Sequence, residues 1–227
     1  MRQPELYDVW WTDATEGEQR MEESHTRHWY KILAAILETD LREKQILDFG
    51  CNQGGLLRFL YAERPFAHGV GVDLAVQSIA VANARKGSLP LTYVATNTLA
   101  HYVHHFDLAI SSSVIYLIAD LADHARQMRG ALKHGGVYYA TYTDYSGNPS
   151  LPHMQAEINR HSAVAMHLHT LDAIAHAFLD AGFTVSAKRM LPQDYIPLHL
   201  PDRFLQSVAD RMLYEYEQAY IFRFVAP

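Results

Sequence analysis

The chain has 227 residues, of which 49% are hydrophobic, and its formal net charge is −6 with a sequence pI near 6.1. This length and hydrophobic content predict one core domain with additions. A net negative chain without a lysine and arginine tract argues against a general nucleic-acid binder, which needs a basic stripe to neutralise phosphates. The single cysteine, Cys51, excludes an internal disulfide and the paired-cysteine zinc patterns.

The first residues are polar, and no run of about 18 apolar residues occurs in the sequence. We therefore expect a cytoplasmic protein with neither nucleic acid nor a membrane among its partners. The sequence leaves the oligomeric state open.

The region 1–44 is predicted to form an arm and a helix that cover a binding site. The helix is expected over 16–38, where apolar residues recur at helical spacing and the early turns are acidic. Upstream, Tyr7, Trp10 and Trp11 offer aromatic faces, which attract cations. This arm either folds over a bound ligand as a lid or docks as a plain hydrophobic segment.

A strand, a glycine loop and the start of a helix follow one another near residue 50. The strand carries Asp48, and Gly50 and Gly54 let the backbone turn tightly and approach a ligand. The next strand ends on Asp73, 23 residues after Gly50, close to the spacing of about 20 at which an acid reaches ribose hydroxyls. A glycine turn alone is often only a tight connection, but the turn and the acid together predict a nucleoside-cofactor site.

The loop lacks the Gly-x-Gly-x-x-Gly spacing of dinucleotide sites. Residues 47–54, which read LDFGCNQG, resemble motif I of the class I S-adenosylmethionine-dependent methyltransferases, with Asn52 where that family more often has glycine. Asparagine tolerates left-handed backbone angles, so the turn remains possible. The resemblance implies S-adenosylmethionine as cofactor and S-adenosylhomocysteine as product, with Asp48 near the methionine moiety and Asp73 on the ribose.

The resemblance covers 45–227, which we expect to be the S-adenosylmethionine-binding domain. Cys51 is interpreted as a small packing residue, because no histidine and aspartate partners of a nucleophile are recognisable. Thr96 and Asn97 stand where the family commonly has an acid near the adenine, and either could offer a side-chain oxygen instead. The predicted cofactor-binding residues are Asp48, Gly50, Cys51, Asn52, Gly54, Asp73, Leu74, Thr96, Asn97, Ser111 and Ser112.

The rest of the chain alternates strands and helices, which predicts a mostly parallel sheet. Gly135-Gly136 is interpreted as following the end of a helix over 118–132, and Thr170 and Gly182 as the cap and stop of a later helix. The resemblance implies that the last strand, 218–225, is antiparallel. The predicted fold class is α/β: a doubly wound, mostly parallel seven-stranded sheet with the last strand antiparallel, helices on both faces and an N-terminal helical cap. The other expected elements are strands at 46–50, 68–73, 91–95, 106–111, 137–142 and 183–189 and helices at 54–62, 75–86 and around 171–179.

Two segments, 143–169 and 191–217, are too long for simple connections, and such insertions are usually lids or binding loops. The first leaves the carboxyl edge of the predicted sheet, where ligands bind in open α/β folds. We therefore place the substrate pocket among these insertions, the arm at 7–11 and the segment 111–117. Residues predicted to face the substrate or form the lid are Tyr7, Trp11, Tyr116 and Asp144, with His153, His161, His167 and His169 as further candidates.

Methyl transfer from a sulfonium is a direct displacement, so the protein mainly aligns donor and acceptor and accommodates one proton. Tyr116 and His153 are the catalytic candidates. Alternatively, Tyr116 stacks on the cofactor or packs in the core, and His153 is an exposed residue of a proline-rich loop.

Fourteen histidines are many for this length, and they cluster around His101, His104 and His105 and around 161–169. His167 and His169 are two residues apart without a nearby carboxylate or cysteine at ligand spacing, and His101 and His104 lack the helical His-x-x-x-His register. We expect no metal.

The predicted function is transfer of a methyl group from S-adenosylmethionine to an oxygen or nitrogen of a small-molecule acceptor. The fourth strand is not followed by the Asp/Asn-Pro-Pro-Tyr motif that is associated with methylation of planar amino nitrogens in bases or glutamine. The alternatives are a protein side-chain methyltransferase and a catalytically silent S-adenosylmethionine-binding sensor or partner subunit. The glycine spacing and the lack of a Tyr-x-x-x-Lys pair disfavour a nicotinamide oxidoreductase.

Overall fold

The computed structural model describes residues 5–12, 18–198 and 202–227. Its centre is a seven-stranded sheet with the strand order β3-β2-β1-β4-β5-β7-β6. Strands β1 to β5 pair in parallel, and β7 lies antiparallel between β5 and β6. The strands are β1 (Gln45–Phe49), β2 (His68–Asp73), β3 (Leu91–Ala95), β4 (Phe106–Ser111), β5 (Leu132–Thr143), β6 (Thr184–Arg189) and β7 (Ala219–Val225). The predicted fold class, including the antiparallel last strand, is confirmed.

Helices cover both faces of this sheet, as strands with apolar residues on both sides require. The helices are α1 (Glu18–Ala35), α2 (Gly55–Glu63), α3 (Val76–Arg85), α4 (Leu121–Ala131), α5 (Leu151–His161), α6 (Leu171–Asp180) and α7 (Val208–Leu213). On one face, α1, α2 and α3 pack on a core that contains Ile46, Leu57 and Tyr139. On the other face, α4 and α6 pack on Tyr138 and Phe224.

The order of connections creates a crevice at the carboxyl edge of the sheet. From the central strand β1 the chain goes to β2 on one side, whereas β4 lies on the other side of β1. Such a switch point separates the loops that follow β1 and β4, and ligands of open α/β sheets bind there. The glycine loop follows β1 at this position.

The start of β5 differs from the prediction. Helix α4 ends at Ala131 and the strand begins immediately at Leu132, so Gly135-Gly136 lies inside β5 instead of following the helix as a stop. A Cβ on Gly136 would lie 2.9 Å from the Lys133 carbonyl oxygen and 3.1 Å from that of Phe106. Glycine is needed here because two backbone segments approach closely beside the register shift between β4 and β5.

The two insertions, predicted as irregular, contain regular structure. Helix α5 lies in the first, after Ser150 and with Pro152 in its first turn, where proline is well tolerated. Helix α7 lies in the second and runs into a π-helical turn, Tyr214–Gln218. Elsewhere, Thr170 caps α6 by accepting from the Ala173 N–H, and Gly182 with φ 90° ends it, as predicted.

Helix α1 is shorter than predicted and ends at Ala35. Residues 16 and 17 of the predicted helix lie outside the described residues, as do 1–4 and 13–15 of the predicted arm. Beyond the helix, the Leu37 N–H donates to the Tyr139 hydroxyl at 3.1 Å, which anchors the chain to β5 before β1 begins.

Candidate functional site

The glycine loop after β1 depends on three left-handed backbone conformations. Gly50, Asn52 and Gly54 have φ values of 79°, 46° and 75°. A Cβ on Gly50 would lie 2.4 Å from the Val114 side chain, and one on Gly54 would lie 2.4 Å from the Tyr93 ring. Both glycines are therefore required for space as well as for conformation. Asn52 keeps the left-handed turn in place of glycine, as predicted.

The backbone groups of the loop are partly used to hold it against β2. The N–H groups of Gly50 and Cys51 both donate to the Val72 carbonyl, at 2.8 and 3.0 Å. The Cys51 side chain is buried in the core on the α1 side of the sheet, and burial raises the pKa of its thiol. Cys51 thus packs beneath the loop, as the sequence suggested.

Asp73, at the end of β2, is held in a fixed orientation by backbone donors. Its Oδ2 accepts from the Asn52 N–H at 2.8 Å, and its Oδ1 accepts from the Ala75 N–H at 2.9 Å. A carboxylate has about four acceptor positions, and these two bonds use two of them. The arrangement suits a ribose diol.

Asp48 is buried to 1% exposure in the middle of β1. Burial, with a smaller contribution from Asp73, raises the pKa of its carboxyl to about 8. Its Oδ2 and the Oδ1 of Asn52 are buried acceptors without a hydrogen-bond partner among the described residues. Buried acceptors of this kind require a donor or a cation. The ammonium group of S-adenosylmethionine supplies both, so the residues present fit this cofactor.

The end of β3 forms a second wall of the crevice. The Tyr93 hydroxyl donates to the Gly54 carbonyl at 2.8 Å and so ties this strand to the glycine loop. The Thr96 N–H donates to the Asp73 carbonyl, and its hydroxyl bonds the Thr98 carbonyl at 3.1 Å. The Thr96 hydroxyl is therefore used locally, and Asn97, the other predicted adenine contact, follows it at the same strand end.

Ser111, at the end of β4, has a structural partner on each side. It is fully buried; its hydroxyl donates to the Phe49 carbonyl at 3.1 Å and accepts from the Tyr138 hydroxyl at 2.8 Å. The Tyr138 oxygen in turn lies 2.9 Å from Nε2 of buried His124, whose pKa burial lowers to about 3. Ser111 thus joins β1 to β4, whereas half-buried Ser112 follows it at the crevice edge.

The arm reaches from the end of β2 to the first insertion. The Tyr7 N–H donates to the Leu74 carbonyl at 3.1 Å, and the Tyr7 carbonyl accepts from Val76 at 2.8 Å. Leu74 therefore uses its backbone to hold the arm. At the other end, Trp11 forms an antiparallel bridge with Ser162, directly after α5.

Trp11 anchors that end of the arm. It is 3% exposed, and its ring lies 5.4 Å from the His161 ring and 4.9 Å from the Arg203 guanidinium. The Thr12 N–H also donates to the His161 carbonyl at 2.8 Å. Trp11 therefore joins the arm to both insertions.

Three half-buried tyrosines gather beyond the ends of β4, β5 and β7. Tyr116 follows β4, Tyr145 follows β5 and Tyr214 precedes β7, and the last two rings stack at 5.9 Å. The Thr143 side chain lies beside both Tyr145 and Tyr214. Burial raises the pKa of all three phenols, so they are neutral hydroxyls at physiological pH. The sequence pointed to Tyr116 but not to the other two.

His28 of α1 was also missed by the sequence analysis. Its Nε2 lies 3.4 Å from the Thr141 Oγ1, which accepts from the Ser113 N–H at 2.8 Å. Burial, and then the nearby charge of His25, lower the pKa of His28 to about 3, so the ring is neutral. Apolar spacing identified the buried face of α1 but did not reveal that His28 lies beside the end of β5.

The other substrate candidates occupy the same edge. His153 lies in α5, not in a loop, and its Nε2 contacts the Arg203 carbonyl at 2.9 Å, which joins the two insertions. Asp144 is half-buried, and its Oδ1 accepts from the Ser146 N–H at 3.1 Å. His167 and His169 have rings 6.1 Å apart, and His169 Nε2 contacts the Ile118 carbonyl at 2.8 Å.

The other histidine group, His101, His104 and His105, precedes β4 and therefore lies at the amino edge, away from the crevice. Within the described ranges, no group of three or more His, Cys, Asp or Glu side chains is arranged to hold a metal. No helix in those ranges is both long and apolar enough to cross a membrane.

A family model described as a methyltransferase domain matches residues 21–188. The chain belongs to this methyltransferase family. No curated protein is similar enough in sequence to match it. With the acids described above, the family makes the chain an enzyme whose cofactor is S-adenosylmethionine.

Solved structures of methyltransferases share the fold. A Haloferax volcanii methyltransferase, in a complex with the activator Trm112, is 20% identical with a TM-score of 0.76, over 94% of this chain and 96% of that one. The geranyl diphosphate C-methyltransferase of Streptomyces coelicolor is 15% identical with a TM-score of 0.67, over 99% and 92%. Phosphoethanolamine N-methyltransferase 2 of Haemonchus contortus is 20% identical with a TM-score of 0.65, over 89% of this chain and 53% of that one.

Proposed function

We propose that this methyltransferase acts on an oxygen or nitrogen of a small-molecule acceptor. The observation that carries the proposal is the connection of the arm to both sides of the crevice. The arm is hydrogen-bonded to residues 74–77 at one end and to 161–163 at the other. A strap between the cofactor strand and the first insertion favours an enclosed acceptor over a large, flat one.

In this proposal the cofactor is held by the residues after β1, β2 and β3. Asp48 and the Asn52 side chain accept from the ammonium end, Asp73 accepts from the ribose hydroxyls, and Asn97 contacts the adenine. When bound, S-adenosylmethionine supplies a methyl group on a sulfonium sulfur for direct displacement by the acceptor. The arm excludes water from the crevice, and the tyrosines after β4 and β5 orient the acceptor.

The first experiment is calorimetric titration of the protein with S-adenosylmethionine and S-adenosylhomocysteine, for the wild type and for Asp73→Ala. We expect both ligands to bind the wild type and affinity to fall at least about tenfold in the variant, because a half-buried carboxylate that accepts hydrogen bonds is lost. The matched control is Asp107→Ala, a half-buried acid at the amino edge that pairs with Lys133 at 2.7 Å. Its affinity should not change.

Methyl transfer is then measured with a panel of small hydroxyl and amine compounds, using mass spectrometry to detect methylated products. Turnover would support the proposed enzyme. Tight cofactor binding without turnover on the panel would favour the silent sensor or partner subunit.

One observation favours a second candidate, a protein side-chain methyltransferase that acts together with a protein activator. The Haloferax volcanii methyltransferase was solved in a complex with such an activator, and its similarity spans nearly both whole chains. Co-purification of the present chain with an activator of that kind, and activity on a protein substrate only in its presence, would replace the small-molecule proposal.

A further inference from the structure

Three buried polar side chains form a hydrogen-bond network that crosses the core on the α4 side of the sheet and ends beside the cofactor loop. His124 of α4 is 3% exposed, and Tyr138 of β5 and Ser111 of β4 are fully buried. Nε2 of His124 lies 2.9 Å from the Tyr138 hydroxyl, which donates to the Ser111 hydroxyl at 2.8 Å. Ser111 donates in turn to the Phe49 carbonyl at 3.1 Å. These three side chains are called the buried network below.

The carbonyl at its end fixes the direction of every hydrogen bond in the buried network. A carbonyl oxygen can only accept, so the Ser111 hydroxyl gives its one proton to Phe49. Tyr138 must then give its own proton to Ser111, and its oxygen is left to accept from a protonated Nε2 of His124. His124 is therefore the neutral tautomer that carries its hydrogen on Nε2.

The buried network acts where strand β1 separates from β4. Pairing between these strands ends at Asp48 and Ile110. One residue further along both strands, the Ser111 hydroxyl bonds the Phe49 carbonyl. A side chain thus satisfies a backbone acceptor that the ladder no longer pairs. The buried network therefore fixes the distance between β1 and β4 at the point where the crevice opens.

The turn at residues 111–113, directly after β4, is held from the other face of the sheet as well. The Ser113 N–H donates to the Thr141 hydroxyl at 2.8 Å, and this hydroxyl lies beside His28 of α1. Ser113 has a φ of 59°, a left-handed conformation that is strained for residues other than glycine. Such strain persists only where the surroundings hold the backbone in place.

This turn lies directly against the cofactor loop. Val114 is the next residue, and its side chain occupies the space beside Gly50, where a Cβ would lie 2.4 Å from it. The Phe49 carbonyl belongs to the residue between Gly50 and the buried acid Asp48. A displacement of residues 111–113 would therefore move both neighbours of the loop, the side chain on one side and the carbonyl on the other.

Stability alone does not require a polar network at this place. The rings of Phe49 and Phe178 lie 4.8 and 6.0 Å from the His124 ring, so its surroundings are those of an apolar residue. Hydrogen-bonded partners in a core add little net stability, and apolar groups of the same shape can replace them at nearly no cost. Fully satisfied buried hydrogen bonds do make the groups that they join rigid.

We propose that His124 and Tyr138 are positioning residues of this methyltransferase, which act through Ser111 and the Phe49 carbonyl to hold the cofactor loop in its binding geometry. Neither side chain touches the cofactor. The proposal concerns the cofactor and not the acceptor, so titration with S-adenosylhomocysteine tests it whatever molecule is methylated.

The test is calorimetric titration of S-adenosylhomocysteine into the wild type and Tyr138→Phe. Phenylalanine keeps the ring but removes the hydroxyl between His124 and Ser111, and we expect the affinity to fall about three- to tenfold. The matched control is Tyr139→Phe, at the next residue of β5. That side chain is also buried but faces the α1 side of the sheet, where its hydroxyl donates to Glu38 at 2.9 Å. Affinity in this control should stay that of the wild type.

Urea denaturation of both variants separates positioning from stability. The free energy of unfolding should fall in each, because each loses a hydrogen-bonded hydroxyl and leaves its partners unpaired. Only Tyr138→Phe should also lose cofactor affinity. An equal loss of affinity in both variants, or an unchanged affinity in Tyr138→Phe, would overturn the proposal.

His124 offers a second pair of variants. Glutamine in His124→Gln keeps an N–H donor close to the position of Nε2, whereas His124→Leu has none. We expect S-adenosylhomocysteine affinity near that of the wild type in His124→Gln and about three- to tenfold weaker in His124→Leu. Nitrogen-15 NMR of histidine-labelled wild type should show the ring protonated on Nε2 at neutral pH. A proton on Nδ1, or equal affinity in the two variants, would contradict the role of His124.

Discussion

In the proposed function, the two halves of the crevice recognise ligands by different physical means. On the β1–β3 side, recognition depends on backbone conformation and on two acids, Asp48 and Asp73, of which one is buried and the other fixed by N–H donors. On the β4–β7 side it depends on neutral side-chain hydroxyls carried by two insertions. The cofactor half should therefore tolerate few substitutions, whereas the acceptor half should tolerate the loss of single hydroxyl groups.

This difference predicts how substitutions behave. A residue that fixes the backbone should act in an all-or-none way, because no neighbouring side chain can replace a left-handed turn. A single hydroxyl on the β4–β7 side should contribute a graded effect, because a neighbouring hydroxyl is left in place. Three changes test the cofactor side of this comparison.

The largest effect is expected for Gly54→Ala. The new methyl group would lie 2.4 Å from the Tyr93 ring at a φ of 75°, so overpacking and backbone strain add to about 2–4 kcal/mol. We expect S-adenosylmethionine affinity to fall about a hundredfold by calorimetry. Gly87→Ala is the control, because φ is 58° there but a Cβ meets nothing within 4 Å. Similar losses in both variants would show that strain alone, not the loop's shape, limits binding.

The second effect is a pH dependence of cofactor affinity, which we expect to be absent in Asp48→Asn. The pKa of Asp48 is raised to about 8, so below that pH the carboxyl is protonated. A cationic ligand that needs the carboxylate can then bind only if Asp48 loses its proton. Cofactor affinity should rise up to about tenfold per pH unit between pH 6 and 8, then level off. Calorimetry in buffers of different ionisation enthalpy should detect the released proton in the wild type and not in Asp48→Asn.

The same pKa sets the sign of a stability effect. An unfolded aspartate has a pKa of about 3.9, so between pH 4 and 8 the folded state without ligand holds a proton that the unfolded state has lost. Raising the pH through this window therefore lowers the free energy of unfolding. Urea denaturation should show a smaller decline in Asp48→Asn, and an identical decline would mean that Asp48 is already ionised.

The smallest of the three effects is expected for Trp11→Ala. Removing this buried ring loosens the arm at the first insertion while its contacts with residues 74–77 remain. We expect cofactor dissociation, measured by stopped-flow, to become about three- to tenfold faster. This corresponds to a loss of roughly 1 kcal/mol of the free energy by which the closed arm stabilises the complex. Leu6→Ala, at a 47% exposed arm residue, should leave it unchanged. An unchanged rate of cofactor dissociation in Trp11→Ala would contradict the proposal that the arm acts as a strap.

The fold and the glycine loop were predictable because local chemistry constrains them. Left-handed turns need Gly50 and Gly54, and the acid at the end of β2 has a fixed spacing from the loop. The positions of β2, β3 and β4 followed from apolar runs bounded by turn residues. Helix α5 carried a readable signal as well, since Ser150 and Pro152 precede Met154 and Ile158 at helical spacing.

The acceptor side was not predictable, because it is assembled from residues far apart in the chain. His28 meets Thr141 across 113 positions, and Tyr214 of the second insertion stacks on Tyr145 of the first. No local pattern encodes such contacts. The Gly135-Gly136 pair was interpreted wrongly for a related reason, because only the assembled sheet reveals how closely Gly136 approaches β4.

The insertion of β7 between β5 and β6 also affects how this protein is made on the ribosome. Strand β6 contacts the sheet only through β7, which is translated later, so β6 has no partner when it first emerges. Synthesis of residues 190–225 takes roughly 2 to 7 s at typical rates of elongation. During that interval the nascent chain exposes the open edge of β5, with Tyr138 and Phe178 still lacking their aromatic partner Phe224. That edge is where a chaperone would act and where aggregation of an incomplete chain would begin.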